Sequence, residues 1–181
     1  MQEEQNPIKD LLFDYLKSDK IKELTSQSKF TEVIEDTLEN CYDQVISMGE
    51  KNESLGILAT GLLHYILTNA LISSQRKIEY DKIEIDIVIP NLKTLKIDPK
   101  KTLIICIPKT NNKNIIEQKL IQFQKIQPIK ENIWLVITQK MELQHKTYVI
   151  EKKKGTFSKM IYDIGQFVNV QGQNKFKILR I

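Results

Sequence analysis

Apolar positions recur with two different periods along the chain, and the change from one to the other divides it into two parts. Ile8, Leu11, Leu12, Tyr15 and Leu16 stand at helical spacing behind Pro7, a residue suited to a first helical turn. Phe30, Val33, Ile34, Thr37, Leu38, Cys41, Tyr42 and Val45 repeat that spacing, and Gly49 is placed to end this second helix. The segment from Ser54 to Ser74 predicts a third helix, apolar nearly all round and therefore expected at the centre, with neighbours on most sides.

After Arg76 the period shortens to two. Ile83, Ile85, Ile87 and Ile89 alternate with Glu84, Asp86 and Val88, and Pro90 with Asn91 closes this strand. The apolar run Thr102 to Pro108 and the run Glu131 to Thr138 predict strands buried on both faces. Between them, Asn111 to Gln127 predicts a helix with Ile115, Ile116, Leu120, Phe123 and Ile126 inward, so the two strands should be parallel and joined by a crossover. A short strand near Thr147 to Ile150, a helix near Thr156 to Val170 and a last strand at Lys175 to Ile181 complete the expectation. The fold class that follows is α/β, a mixed central sheet with flanking helices. We expect a single domain over residues 1–181, with an N-terminal helical part at 1–50 and an α/β core at 51–181.

The third helix changes the picture in one respect. No Asp, Glu, Lys or Arg occurs from Ser54 to Gln75, and Leu55 to Ile72 is long enough to span a membrane. Thr60, His64 and Thr68 nevertheless repeat at four-residue spacing beside Asn69, a polar stripe that a lone lipid-exposed helix would not tolerate. A buried central helix is expected and a membrane partner is not. The acidic, polar start of the chain does not resemble a secretory signal, and Cys41 and Cys106 lie far apart without a CxxC pair, so a cytoplasmic setting is expected.

Charge is uneven. Residues 1–55 hold 6 Lys against 13 Asp or Glu, whereas residues 56–181 hold 21 Lys or Arg against 10 Asp or Glu. The second part thus points to a polyanionic partner, and the acidic N-terminal helices to a protein partner. All but two of the basic residues are Lys, which suits sequence-independent contact with nucleic acid better than base reading. The run Lys152, Lys153 and Lys154 before Gly155 is a candidate phosphate contact, with a solvated loop as the plainer alternative. Neither a P-loop, a GxGxxG, an HExxH nor a GxSxG is present, so nucleotide-fold enzymes, zincins and α/β-hydrolases lack their local signatures. His64 and Trp134 read most simply as packed residues, and His145 lies in a polar loop.

Asp86 carries the strongest chemical signal. A charge at the centre of an apolar strand is costly unless it is paired or bound to metal, although an edge strand with Glu84 and Asp86 turned to water would explain the same pattern. Lys109 closes the next apolar strand and could reach the same sheet end. Two or three acids at adjoining strand ends with a lysine beside them is what Mg²⁺-dependent phosphodiester cleavage requires.

In this order of elements the chain resembles the PD-(D/E)xK, or restriction-endonuclease-like, family. Its members carry a helix with a Glu, a hairpin with an Asp, a strand ending in Glu-x-Lys, a helix and a further strand. The resemblance covers about Glu53 to Thr138 and implies Glu53 as the helix acid, Asp86 in IEIDIVIP as the hairpin acid and Lys109 at the end of LIICIPK. The Glu of Glu-x-Lys falls on Ile107, and a displaced acid on the following helix could only be Glu117. Two functions follow. One is a non-catalytic restriction-endonuclease-like module that binds nucleic acid or protein. The other is a Mg²⁺-dependent nuclease using Asp86, Lys109 and Glu53, with Asp86 and Glu117 on the metal. For the non-catalytic module, an unpaired Asp86 should tolerate or even favour a neutral amide.

Overall fold

A computed structural model describes residues 6–153 and 155–171. The expected last strand at 175–181 and Lys154 lie outside the described residues. Four helices come first: α1 (Pro7–Leu16), α2 (Asp19–Ser26), α3 (Phe30–Ser47) and α4 (Lys51–Asn69). Pro7 opens α1, and the Asn6 side chain caps it by accepting from the Ile8 and Lys9 amides. The short α2 was not legible in the apolar pattern, because Ile21 is its one buried residue. The central helix α4 starts one turn before its charge-free stretch, where the Glu50 carboxylate accepts from the Glu53 amide. It also stops earlier than Ser74. Leu71 enters the left-handed region at φ 55°, Leu71 N–H donates to Thr68 C=O and Ile72 N–H to Leu67 C=O, a Schellman ending built without glycine.

The sheet follows, with strands β1 (Gln75–Tyr80), β2 (Ile83–Ile89), β3 (Leu103–Cys106), β4 (Ile133–Ile137) and β5 (Lys146–Val149) in that spatial order. β1–β2 and β2–β3 are antiparallel, and β3–β4 and β4–β5 are parallel. Three further helices are α5 (Leu92–Ile97), α6 (Lys113–Ile126) and α7 (Met160–Val170). The strand carrying Asp86, the strand LIIC and the Trp134 strand are adjacent in one mixed sheet, as expected. β1 was not foreseen, since QRKIEY is largely exposed and lacks an apolar face of its own. A two-residue turn joins it to β2, with both Asp81 (φ 50°) and Lys82 (φ 60°) left-handed as a type I′ turn demands, though neither is glycine.

Apolar side chains gather on both faces. One face packs α1, α3, α4 and α7 against Ile87, Ile89, Leu103, Ile105, Ile107, Trp134 and Val136. The other packs α6, through Ile116, Leu120, Phe123 and Ile126, against Ile83, Ile85, Val88, Ile104, Cys106, Leu135 and Ile137, whereas Ile115, expected inward, is exposed on α6. Leu55, Leu58, Leu62, Leu63, Ile66 and Leu67 are fully buried, as expected of a helix with neighbours on most sides. Among the described residues no helix is long and apolar enough to cross a membrane.

β2 departs from the simple alternation. Its isoleucines do not share one face: Ile83 and Ile85 pack with α6, and Ile87 and Ile89 pack with α4. The change of side falls at Asp86. In the β1–β2 register Ile78 opposes Ile85 and Arg76 opposes Ile87, while Lys77 and Asp86 between them are unpaired, with Lys77 left-handed at φ 49°. This break in the ladder is what lets the strand present isoleucines to both layers.

Candidate functional site

Asp86 sits where β2 and β3 part. The last paired residues of that ladder are Ile87 and Ile105, and beyond them the Asp86 carboxylate takes over, accepting from the Ile107 amide at 2.8 Å. Lys119 of α6 approaches the same oxygen at 3.4 Å and also lies over the Phe123 ring. Burial opposes the charge on the Lys119 ammonium, but the Cys106 sulfur and the Asp86 carboxylate outweigh it and its pKa is raised. Cys106 is buried and free, and desolvation holds its thiol up at about 12, so it is no nucleophile. β2 lies between β1 and β3 and is not an edge strand. Asp86 is only partly exposed, and it is not an unpaired charge. It closes the fork in the sheet.

The remaining candidates divide. Lys109, just past β3, stands 3.9 Å from Glu53 in the first turn of α4, both side chains more than half exposed. Glu117 is elsewhere: it pairs with Lys113 along α6 at 3.8 Å and faces the groove that holds Leu143 and His145. Among the described residues no three His, Cys, Asp or Glu side chains are grouped so as to hold a metal ion. Glu53, Asp86 and Glu117 therefore do not fit a Mg²⁺ shell in this arrangement. One acid is spent on an amide and an ammonium, one faces a lysine, and one stands on another surface.

Asp86 and Lys109 do share a cavity. It has a volume of about 160 Å³ and lies between α1, α4 and the β1–β2 hairpin, with Ile107, Gly56, Thr60 and Phe13 among its walls. The cations Lys9, Arg76, Lys77 and Lys109 line it together with the carboxylates of Glu84 and Asp86. Lys9, Arg76 and Lys77 have no ion pair among the described residues. Gly61 lets α1 approach, since a Cβ there would meet Leu12 Cδ2 at 2.7 Å. Arg76 also acts on His64, whose pKa is lowered by burial and then by this neighbouring charge. No local motif pointed to Lys9, Arg76 and Lys77, because they come from α1 and from a strand that the apolar pattern concealed.

The Lys152–Lys153 loop has a different setting. Lys152 is paired with Asp43 of α3 at 2.5 Å, and this hydrogen bond raises its pKa. Lys153 lines a groove with Glu32, Glu35, Asp36, Glu39 and Glu151, and Lys20 also bonds Asp36 there. Of the predicted phosphate contact, Lys152 is thus held by α3 and Lys153 borders a groove rich in carboxylates. At the carboxyl end of the parallel strands, the Thr138 hydroxyl lies between the side-chain amides of Asn52 and Asn111, 3.0 Å from the latter, and ties α4 to the β3–α6 loop. Trp134 is core, its indole donating to the Glu131 carbonyl at 2.8 Å. No protein-family model matches the chain, and neither a curated protein nor a solved structure is significantly similar to it.

Proposed function

We propose that the chain is a non-catalytic module of restriction-endonuclease-like architecture that binds nucleic acid through its phosphates without reading sequence. One observation carries this reading: around the cavity where a nuclease would gather acids, the key acid is already neutralised by Lys119 and Ile107 N–H, while Lys9, Arg76 and Lys77 stand without partners among the described residues. Cations left unpaired at a cleft favour a polyanion, and release of its counterions drives association. The element order supports the architecture. Helix α4 with Glu53, a hairpin with Asp86, a strand leading to Lys109, helix α6 and strand β4 follow one another as the resemblance implies. The acidic face of α3, the expected surface for a protein partner, is partly taken by Lys20 and Lys152 of the same chain, so nucleic acid is the partner we adopt.

The test is a titration of labelled DNA and RNA at about 50 and 200 mM salt, run beside a cleavage assay with Mg²⁺ and Mn²⁺. We expect sequence-independent binding that weakens steeply with salt, and intact nucleic acid with either metal. Absence of binding at the lower salt would remove nucleic acid as the partner. Metal-dependent cutting that disappears with Asp86→Asn and Glu117→Gln would establish the nuclease with a displaced acid instead.

A further inference from the structure

From its size, walls and charge, we infer that the cavity between α1, α4 and the β1–β2 hairpin receives the base of one unstacked nucleotide, so that the module selects single strands over duplexes. The inference rests on the phosphate-binding reading above. A cavity of about 160 Å³ has room for one planar ring and little more, since an apolar cavity of roughly 150 Å³ holds a single benzene. A duplex cannot enter it, whereas a single strand can turn one base out of the stack at low cost.

The walls suit such a base. Phe13 is 43 % exposed on α1 and lines the cavity, an aromatic side chain on which a base can stack. Gly56 leaves the α4 wall open: a Cβ there would meet Ile107 Cγ2 at 3.7 Å and Lys109 Cγ at 4.0 Å, both ordinary contacts. Glu84 supplies a carboxylate that can accept from a base N–H, whether an exocyclic amine or the ring N3–H of uracil or thymine. Arg76 and Lys77 stand on the neighbouring β1, where they can hold the phosphates flanking the inserted nucleotide.

The experiment compares a single-stranded oligonucleotide, a blunt duplex of the same length and uridine monophosphate, by anisotropy or calorimetry at low salt, using the whole chain. The strand should bind more tightly than the duplex. Phe13→Ala should weaken the strand by at least about fivefold and leave the duplex unchanged, as loss of one base–aromatic stack predicts. Gly56→Ala narrows the same cavity without displacing a neighbour and should weaken the strand in the same direction. Uridine monophosphate binding as tightly as the strand would also support a nucleotide site and would assign it to the free nucleotide. Equal affinity for duplex and strand, or indifference of the strand to both substitutions, would overturn this inference while leaving the phosphate-binding reading intact. Failure of the unmodified chain to bind any of the three would overturn both.

Discussion

Two basic groups in this chain contrast in sequence and in space. Lys152 and Lys153 are contiguous and conspicuous, yet they face Asp43 and a groove of carboxylates on α3. Lys9 and the pair Arg76–Lys77 lie more than sixty residues apart and are inconspicuous, yet they meet around one cavity without ion pairs among the described residues. A run of like charge in sequence therefore says little about local potential. What matters is whether the fold brings opposite charge to it, and here α3 pairs Lys152 and surrounds Lys153 with carboxylates, whereas Lys9, Arg76 and Lys77 have no ion pair among the described residues.

The largest effect should come from the acid at the centre of the free group. Asp86→Ala strands the Ile107 amide and removes the partner of Lys119, so it should cost about 1–3 kcal/mol in denaturant unfolding. Asp86→Asn should cost less, because its carbonyl oxygen can still accept from that amide, but the substitution should not be favourable. This replaces the expectation for an unpaired acid, since Lys119 and Ile107 N–H already compensate the charge. A gain in stability for either substitution would mean that the carboxylate does not close the β2–β3 fork.

Charge reversal separates the two groups directly. Arg76→Glu with Lys77→Glu should lower nucleic-acid affinity by at least about tenfold and flatten its salt dependence, because two phosphate contacts are lost. Lys152→Glu should leave affinity nearly unchanged, since Asp43 already neutralises that lysine. The opposite result, with Lys152 dominant, would move the binding surface to the α3 groove.

Acid titration gives the smallest effect and touches both regions. His64, beside Arg76, has a lowered pKa in the fold, so it favours folding above its unfolded value of about 6.5 and loses that contribution as the pH falls. His145 behaves alike, with burial and then Lys130 lowering its pKa. Asp36 in the groove is held low despite burial, by hydrogen bonds from Lys20 and Tyr15, so its contribution is complete above about pH 4 and is lost in stronger acid. Thermal melts should therefore decline first below about pH 6.5 and again below about pH 4. His64→Gln should reduce the first decline and Asp36→Asn the second; unchanged profiles would mean that these side chains do not differ between folded and unfolded states.

The sequence by itself determined the α/β class, the burial of α4, the parallel pair β3 and β4 around α6, and the helices α1 and α3. The reason is that each of these elements buries an apolar face whose period can be counted. Boundaries and short elements were less legible. β1 has little apolar burial to declare it, and the turns at Leu71, Asp81 and Lys82 use left-handed residues without the glycines that usually mark them. At the candidate site, the unusual position of Asp86 could be read from the strand pattern, and its proximity to Lys109 from the order of strands. The use of that acid could not be read, because Lys119 lies 33 residues away on α6 and the Ile107 amide becomes its partner only where β2 and β3 diverge. Glu117 was likewise a sound candidate on the chain but faces another surface, and the cavity cations come from separate elements. Apolar burial is written locally, in the spacing of side chains along one element. Charge compensation depends on which elements meet, and only the tertiary structure decided that.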